Sequence, residues 1–172
     1  MSTDHSNSAF GGTGSTVPPI TYDRHAGGLW LDQVMGRKKP TRYFWFDMTD
    51  VFAWMPDHWI DRCFAVMALI PQHTHQVLTK QPERMRDYLL DLTLSEHRLE
   101  AVDHAAFHIS HEFGHLYDAA SLDYWPLPNV WLGVSVEDQQ RADERIKLLL
   151  QTPAAVRFLS VEPFLGPVDA MV

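Results

Sequence analysis

His111-Glu112-Phe113-Gly114-His115 fits the H-E-x-x-H pattern, in which two histidines four apart on one helix face bind zinc and the glutamate serves as general base. With ten histidines among 172 residues, chance places such a pattern in roughly one chain in forty of this composition, so the spacing alone does not make a site. A catalytic zinc also needs a third protein ligand. His108 and His104 lie one and two turns upstream and Asp118 and Asp123 lie downstream, but none completes a familiar third-ligand spacing. Gly114 weakens the helix that must present both imidazoles. A metal-dependent hydrolase using His111, Glu112 and His115 is one reading of this segment, and a helix that is simply rich in histidine is the other.

A second set of polar residues is scattered in sequence: Asp47, Thr49, Asp50, Lys80, Ser135, Glu137 and Glu162. One cation among several carboxylates could bind a polar ligand or a metal, or shift a carboxyl pKa for acid–base work. The plainer alternative is that these residues cap helices and brace loops. Either role depends on the elements that carry them.

The aromatic run Arg42-Tyr43-Phe44-Trp45-Phe46-Asp47, behind Pro40, predicts a buried strand over about 41–47. Asp57 is placed to cap a following helix with Ile60, Phe64 and Met67 on one face, ending before Pro71. His75 to Thr79 reads as a second strand. Pro82 then opens a helix at a position that needs no N–H, with Met85, Tyr88, Leu89 and Leu92 inward. From Ser95 to about Ala120, Leu99, Val102, Ala106 and Ile109 keep helical spacing, with a break expected near Gly114. Val130 to Val136 is nearly continuous in apolar residues, as in a strand covered on both faces. Asp138 opens a last helix with Ala142, Ile146, Leu149 and Leu150 inward, and Val156 to Val161 makes a fourth strand.

Strict alternation of strand and helix gives a parallel sheet, because tight hairpins cannot join parallel neighbours. About four β/α units are too few to close an eight-stranded barrel, so the expectation is an α/β domain built as a partial, open parallel β/α barrel. In that architecture the scattered polar set lies at the carboxyl ends of the strands, facing one mouth. Residues 1–28, rich in Ser, Thr, Gly and Pro, read as a flexible arm before a domain over 29–172. Of the six tryptophans, Trp54 and Trp125 are the two expected at an interface.

Composition excludes several classes. A net charge of -8 argues against direct nucleic-acid binding and against an anionic membrane surface, and the only dense basic run is Arg37-Lys38-Lys39. One cysteine, Cys63, can neither close an internal disulfide nor hold a cluster alone, which fits a reducing, cytoplasmic compartment. No stretch approaches the roughly 20 apolar residues of a membrane span, and the amino-terminus lacks the pattern of a signal peptide.

Three long segments carry a resemblance. Pro71-Gln72-His73-Thr74-His75-Gln76-Val77-Leu78-Thr79-Lys80 with Pro82-Glu83-Arg84-Met85, then Pro128 to Glu137, then Val156 to Pro163 with Leu165-Gly166-Pro167, resemble a family of phage-encoded proteins related to radical SAM enzymes. The resemblance spans about residues 29–172 and implies a radical-SAM-like barrel in an infected or lysogenic bacterial cell. Members of that family carry, near the amino-terminus, a cysteine-rich loop for a [4Fe–4S] cluster, which thiolates must hold. Here that region is rich in Ser and Gly, and Cys63 falls within a predicted helix as a small apolar residue. The family also continues into another strand and a Gly-rich cofactor loop beyond the point where this sequence ends. Where the family has an Asn-Ser-Met-Ser-Asp-like run after the first strand this chain has Phe46-Asp47-Met48-Thr49-Asp50, and Gln81 replaces a basic residue.

Without cluster thiolates, reductive cleavage of S-adenosylmethionine has no electron source. The expected function is therefore a non-catalytic domain that binds a protein partner, a host-defence component being one candidate, or a second copy of itself. No iron–sulfur cofactor is expected, and zinc enters only through His111 and His115. An enzyme using the mouth carboxylates with Lys80, and a remnant without function of its own, are the other readings.

Overall fold

A computed structural model of the protein describes residues 34–46, 49–114 and 125–170. The elements follow in the order β1 (Arg42–Trp45), α1 (Val51–Trp54), α2 (Asp57–Leu69), β2 (Thr74–Thr79), α3 (Pro82–Leu94), α4 (Glu96–Phe113), β3 (Val130–Ser135), α5 (Gln139–Gln151) and β4 (Val156–Ser160). The four strands form one sheet in the order β1-β2-β3-β4, and every neighbouring pair is parallel. This is the expected α/β architecture, a parallel sheet alternating with helices and consistent with a partial, open β/α barrel. The expected amino-terminal arm lies outside the described residues.

Sequential order with crossovers of one hand puts the helices on one side of the sheet, and side-chain burial shows which side. Register aligns Trp45 with Val77 and Leu132, and Thr79 with Val134. These side chains are buried and join Phe64, Met67, Met85, Leu89, Ile146 and Leu149 of the helices in one core. The alternate row, Phe44 beside Gln76 and Trp131, then Leu78 beside Gly133 and Phe158, faces the other way. It is left half open, with Phe44 46% exposed. In a closed barrel this row would be interior.

Local chemistry sets the helix ends. Pro82 stands at the first turn of α3, where its missing N–H costs nothing. Asp138 caps α5 by accepting from Arg141 N–H at 2.8 Å. Gly114, at φ 66° and ψ 24°, ends α4 in the left-handed conformation that glycine takes at little cost. Arg157 on β4 donates to the Leu149 and Thr152 carbonyls at 3.0 and 2.7 Å, satisfying the end of α5.

The structure departs from expectation in detail. Asp57 does not cap α2; Pro56 holds the cap position and Asp57 is the first helical residue, pairing instead with Arg84 and Arg98. A four-residue helix that the sequence pattern does not mark, α1, carries Trp54. Leu150 is 57% exposed and does not face the core, since one position past Leu149 rotates a helical side chain by about 100°. β1 and β4 are shorter than the predicted 41–47 and 156–161.

The outer layer is held by one ionic network. α4 packs on α2 and α3, and Arg98 at its start reaches Asp57, Asp61 and Asp91 at 3.0, 3.3 and 3.1 Å. Asp61 is buried and also accepts from the Tyr88 hydroxyl at 2.7 Å. Tyr88 in turn lies under the Arg98 guanidinium.

Candidate functional site

The strand ends converge as the alternation implied. A cleft of about 320 Å³ opens at the carboxyl end of the sheet, lined by Phe44, Phe46, Leu78 and Thr79, with Thr49, Asp50, Lys80, Ser135, Ser160 and Glu162. Five of the seven residues predicted for the mouth are therefore in its wall. Glu137 stands immediately beside it, joined to Lys80 at 2.7 Å. Asp47 lies outside the described residues. Sequence reasoning passed over Phe44, Phe46, Leu78, Thr79 and Ser160, although period-two alternation marks four of them: Phe44 and Phe46 precede the exit of β1, Leu78 sits two before Lys80, and Ser160 two before Glu162.

Asp50 works as a brace. Its carboxylate accepts from Phe52 N–H at 3.0 Å, from the Thr79 hydroxyl at 2.8 Å and from Lys80 N–H at 2.8 Å. These bonds cap α1 and clamp the loop after β1 to the end of β2. Phe46, the turn residue between, has φ 61°, a conformation that a bulky side chain seldom adopts, and its carbonyl accepts from Thr49 N–H at 3.1 Å. The strained turn places an aromatic ring on the wall of the cleft.

Glu137 is held between two cations. Arg145, from the second turn of α5, donates to the Ser135 carbonyl at 2.6 Å and to Glu137 at 3.0 Å. Burial works against the Glu137 charge, but the hydrogen bonds and charges of Lys80 and Arg145 outweigh it and hold the carboxyl below its ordinary range. A depressed carboxyl is a poor general acid at neutral pH and a weak base. The Glu137 carbonyl accepts from Leu165 N–H at 2.9 Å, which draws the segment after β4 back to the start of α5. Gln139 exchanges two bonds with the Asp169 backbone there.

Among the described residues no histidine lines the cleft. His111 is exposed in the last turn of α4, which ends at Phe113 with Gly114 in the left-handed conformation; His115 lies outside the described residues. Among the described residues no group of three His, Cys, Asp or Glu side chains could hold a metal ion. Trp54 is 45% exposed at the end of α1, whereas Trp125 is half buried with its ring edge-on to Phe64. Cys63 is buried in α2, and burial pushes its thiol up to about 12, with Arg62 opposing and Asp61 adding. It behaves as a small apolar residue and not as a thiolate.

Fold and cleft together define a class: a single-faced parallel β/α sheet with a polar and aromatic mouth at its strand ends. Residues 8–172 match the family described as "Protein of unknown function (DUF5131)", and the chain belongs to that family. No curated protein and no solved structure matches it. No described helix is long and apolar enough to cross a membrane.

Proposed function

We propose that this protein is a binding domain: a cluster-less, non-catalytic relative of phage-encoded radical-SAM-like barrels that holds a protein partner on the open face of its sheet. The observation that carries the reading is the partly exposed apolar row of Phe44, Leu78, Trp131 and Phe158 on that face, where the Arg42 guanidinium lies over the Trp131 ring. Beyond β4, which pairs only with β3 among the described residues, Phe164 and Leu165 are also exposed, at 68% and 70%. Apolar rows and unpaired strand edges of this kind are ones that proteins cover or pair. The kinship to radical-SAM-like phage proteins rests on the three sequence motifs.

Affinity capture from phage-infected cells, with the wild type and Phe44→Glu side by side, tests it. One protein recovered in stoichiometric amount by the wild type and lost with Phe44→Glu is the expected result. A monodisperse monomer that retains nothing stoichiometric, or a partner indifferent to Phe44→Glu, refutes the reading. So would a brown protein carrying iron and sulfide.

A second reading, a small polar ligand in the mouth, is favoured by the cleft itself, where an apolar wall of Phe44, Phe46 and Leu78 meets hydroxyls, Lys80 and Glu162. A thermal shift with a nucleoside that disappears in Glu162→Gln would support it over the first.

A further inference from the structure

α4 is 18 residues long and buries Val102, Ala106 and Ile109, which leaves the opposite side exposed at His97, Glu100, His104, Phe107, His108 and His111. Steps of three and four residues bring neighbours on that side together. His104 and His108 are in direct contact, their Nε2 atoms 3.0 Å apart and their ring centroids 4.3 Å apart at 71°. Phe107, half exposed, stands beside them, its ring 5.6 Å from that of His108 and 6.5 Å from that of His111. α4 carries Glu96, Glu100, Asp103 and Glu112 against one arginine, Arg98, which is itself paired with Asp57, Asp61 and Asp91, and from Leu99 to Gln140 the sequence contains no Lys or Arg. The local charge therefore favours a cation.

We propose that His104 and His108 form a two-histidine site for a divalent late first-row transition metal, taking Cu²⁺ ahead of Zn²⁺, with water completing the shell. The inference is independent of both the open face and the mouth. Two ligands on one helix act as a chelate, because the backbone already holds them four residues apart. With metal–nitrogen bonds of about 2.0–2.1 Å, two nitrogens at a right angle stand roughly 2.9 Å apart and two in a tetrahedron roughly 3.3 Å. The observed 3.0 Å lies within that range, so both nitrogens can reach one ion, and Cu²⁺ heads the affinity order for nitrogen ligands.

In the metal-free pair one Nε2–H donates to the other Nε2. Binding needs both Nε2 lone pairs, so the donor ring shifts its proton from Nε2 to Nδ1 through solvent and both rings turn toward the ion. For a pair of neutral rings the shift moves one proton within one ring, so the step balances without net release. Their exposure lets water take the new Nδ1–H. No third side chain of the described residues completes a three-ligand group, so the remaining positions belong to water.

Titration of the full chain with CuCl₂ and, separately, ZnCl₂ by calorimetry, with electron paramagnetic resonance of the copper form, tests the site. One Cu²⁺ per chain is expected, bound at least tenfold more tightly than Zn²⁺ and showing two imidazole nitrogens. His104→Asn and His108→Asn should each weaken Cu²⁺ at least tenfold, and the double variant little further, because either loss opens the chelate. Both positions are exposed, so helix content and melting temperature in EDTA should not change. Copper affinity that survives both substitutions, that is lost instead in His111→Asn or His115→Asn, or that falls below zinc affinity overturns the proposal.

Discussion

Acid should weaken this fold through a single buried histidine. His75 is fully buried on the helix side of β2, where its Nδ1 accepts from the Trp45 indole N–H at 2.9 Å and its ring stacks on Tyr43 at 6.0 Å. With Nδ1 occupied as an acceptor, the neutral ring carries its proton on Nε2, which has no hydrogen-bond partner. Burial lowers its pKa from 6.5 to about 4; the Ile70 carbonyl opposes the shift and His73 adds to it. Above pH 6.5 the ring is neutral in both folded and unfolded chains and gives no pH dependence. Below it the unfolded chain binds a proton that the folded chain refuses, so stability falls from about pH 6.5 to about pH 4 and then levels off. Linkage puts the loss at roughly 2.5 kcal/mol at pH 4.5 relative to pH 7.5, with a limiting slope of about 1.4 kcal/mol per pH unit. Carboxylates titrate in the same range, and His75→Asn separates them: it keeps an acceptor near Nδ1 for Trp45 but does not titrate. Urea unfolding of both proteins at pH 7.5, 6.5, 5.5 and 4.5 should show the wild type losing the additional 2.5 kcal/mol or so. Parallel curves, agreeing within about 0.5 kcal/mol at every pH, would refute the reasoning.

Gly133→Ala should destabilise by about 1–3 kcal/mol in chemical denaturation, because a Cβ there would sit 2.5 Å from the Phe158 ring; adding Phe158→Leu should recover much of that loss, and no recovery would show that the ring is not the obstacle. Asp61→Ala should cost about 3 kcal/mol, since it removes a buried carboxylate from Arg98, whereas Tyr88→Phe, which deletes only the hydroxyl bond to Asp61, should cost about 1 kcal/mol; equal effects would contradict the network. Because Lys80 and Arg145 lower the Glu137 carboxyl, the stability it contributes is present above the ordinary carboxylate range and is lost as pH falls through the folded value. Carbon NMR of that carboxyl should therefore show a higher titration midpoint in Lys80→Met, and an unchanged midpoint would remove Lys80 as a cause.

The sequence by itself determined the alternation of strands and helices, the parallel sheet and the punctuation at Pro82, Gly114 and Asp138, because each depends on hydrophobic period or on backbone chemistry within a few residues. It also placed Thr49, Asp50, Lys80, Ser135 and Glu162 at one mouth, since in a parallel sheet every strand ends on the same side. The tertiary structure alone decided what those groups do there. Asp50 serves as a clamp only because Thr79, 29 residues away, donates to it, and Glu137 is ionised by a Lys and an Arg from two different elements. Likewise the ring that covers Gly133 belongs to a strand 25 positions later, brought alongside by register. Such pairings follow from how the chain closes on itself, and residues distant in sequence carry no local signal of it.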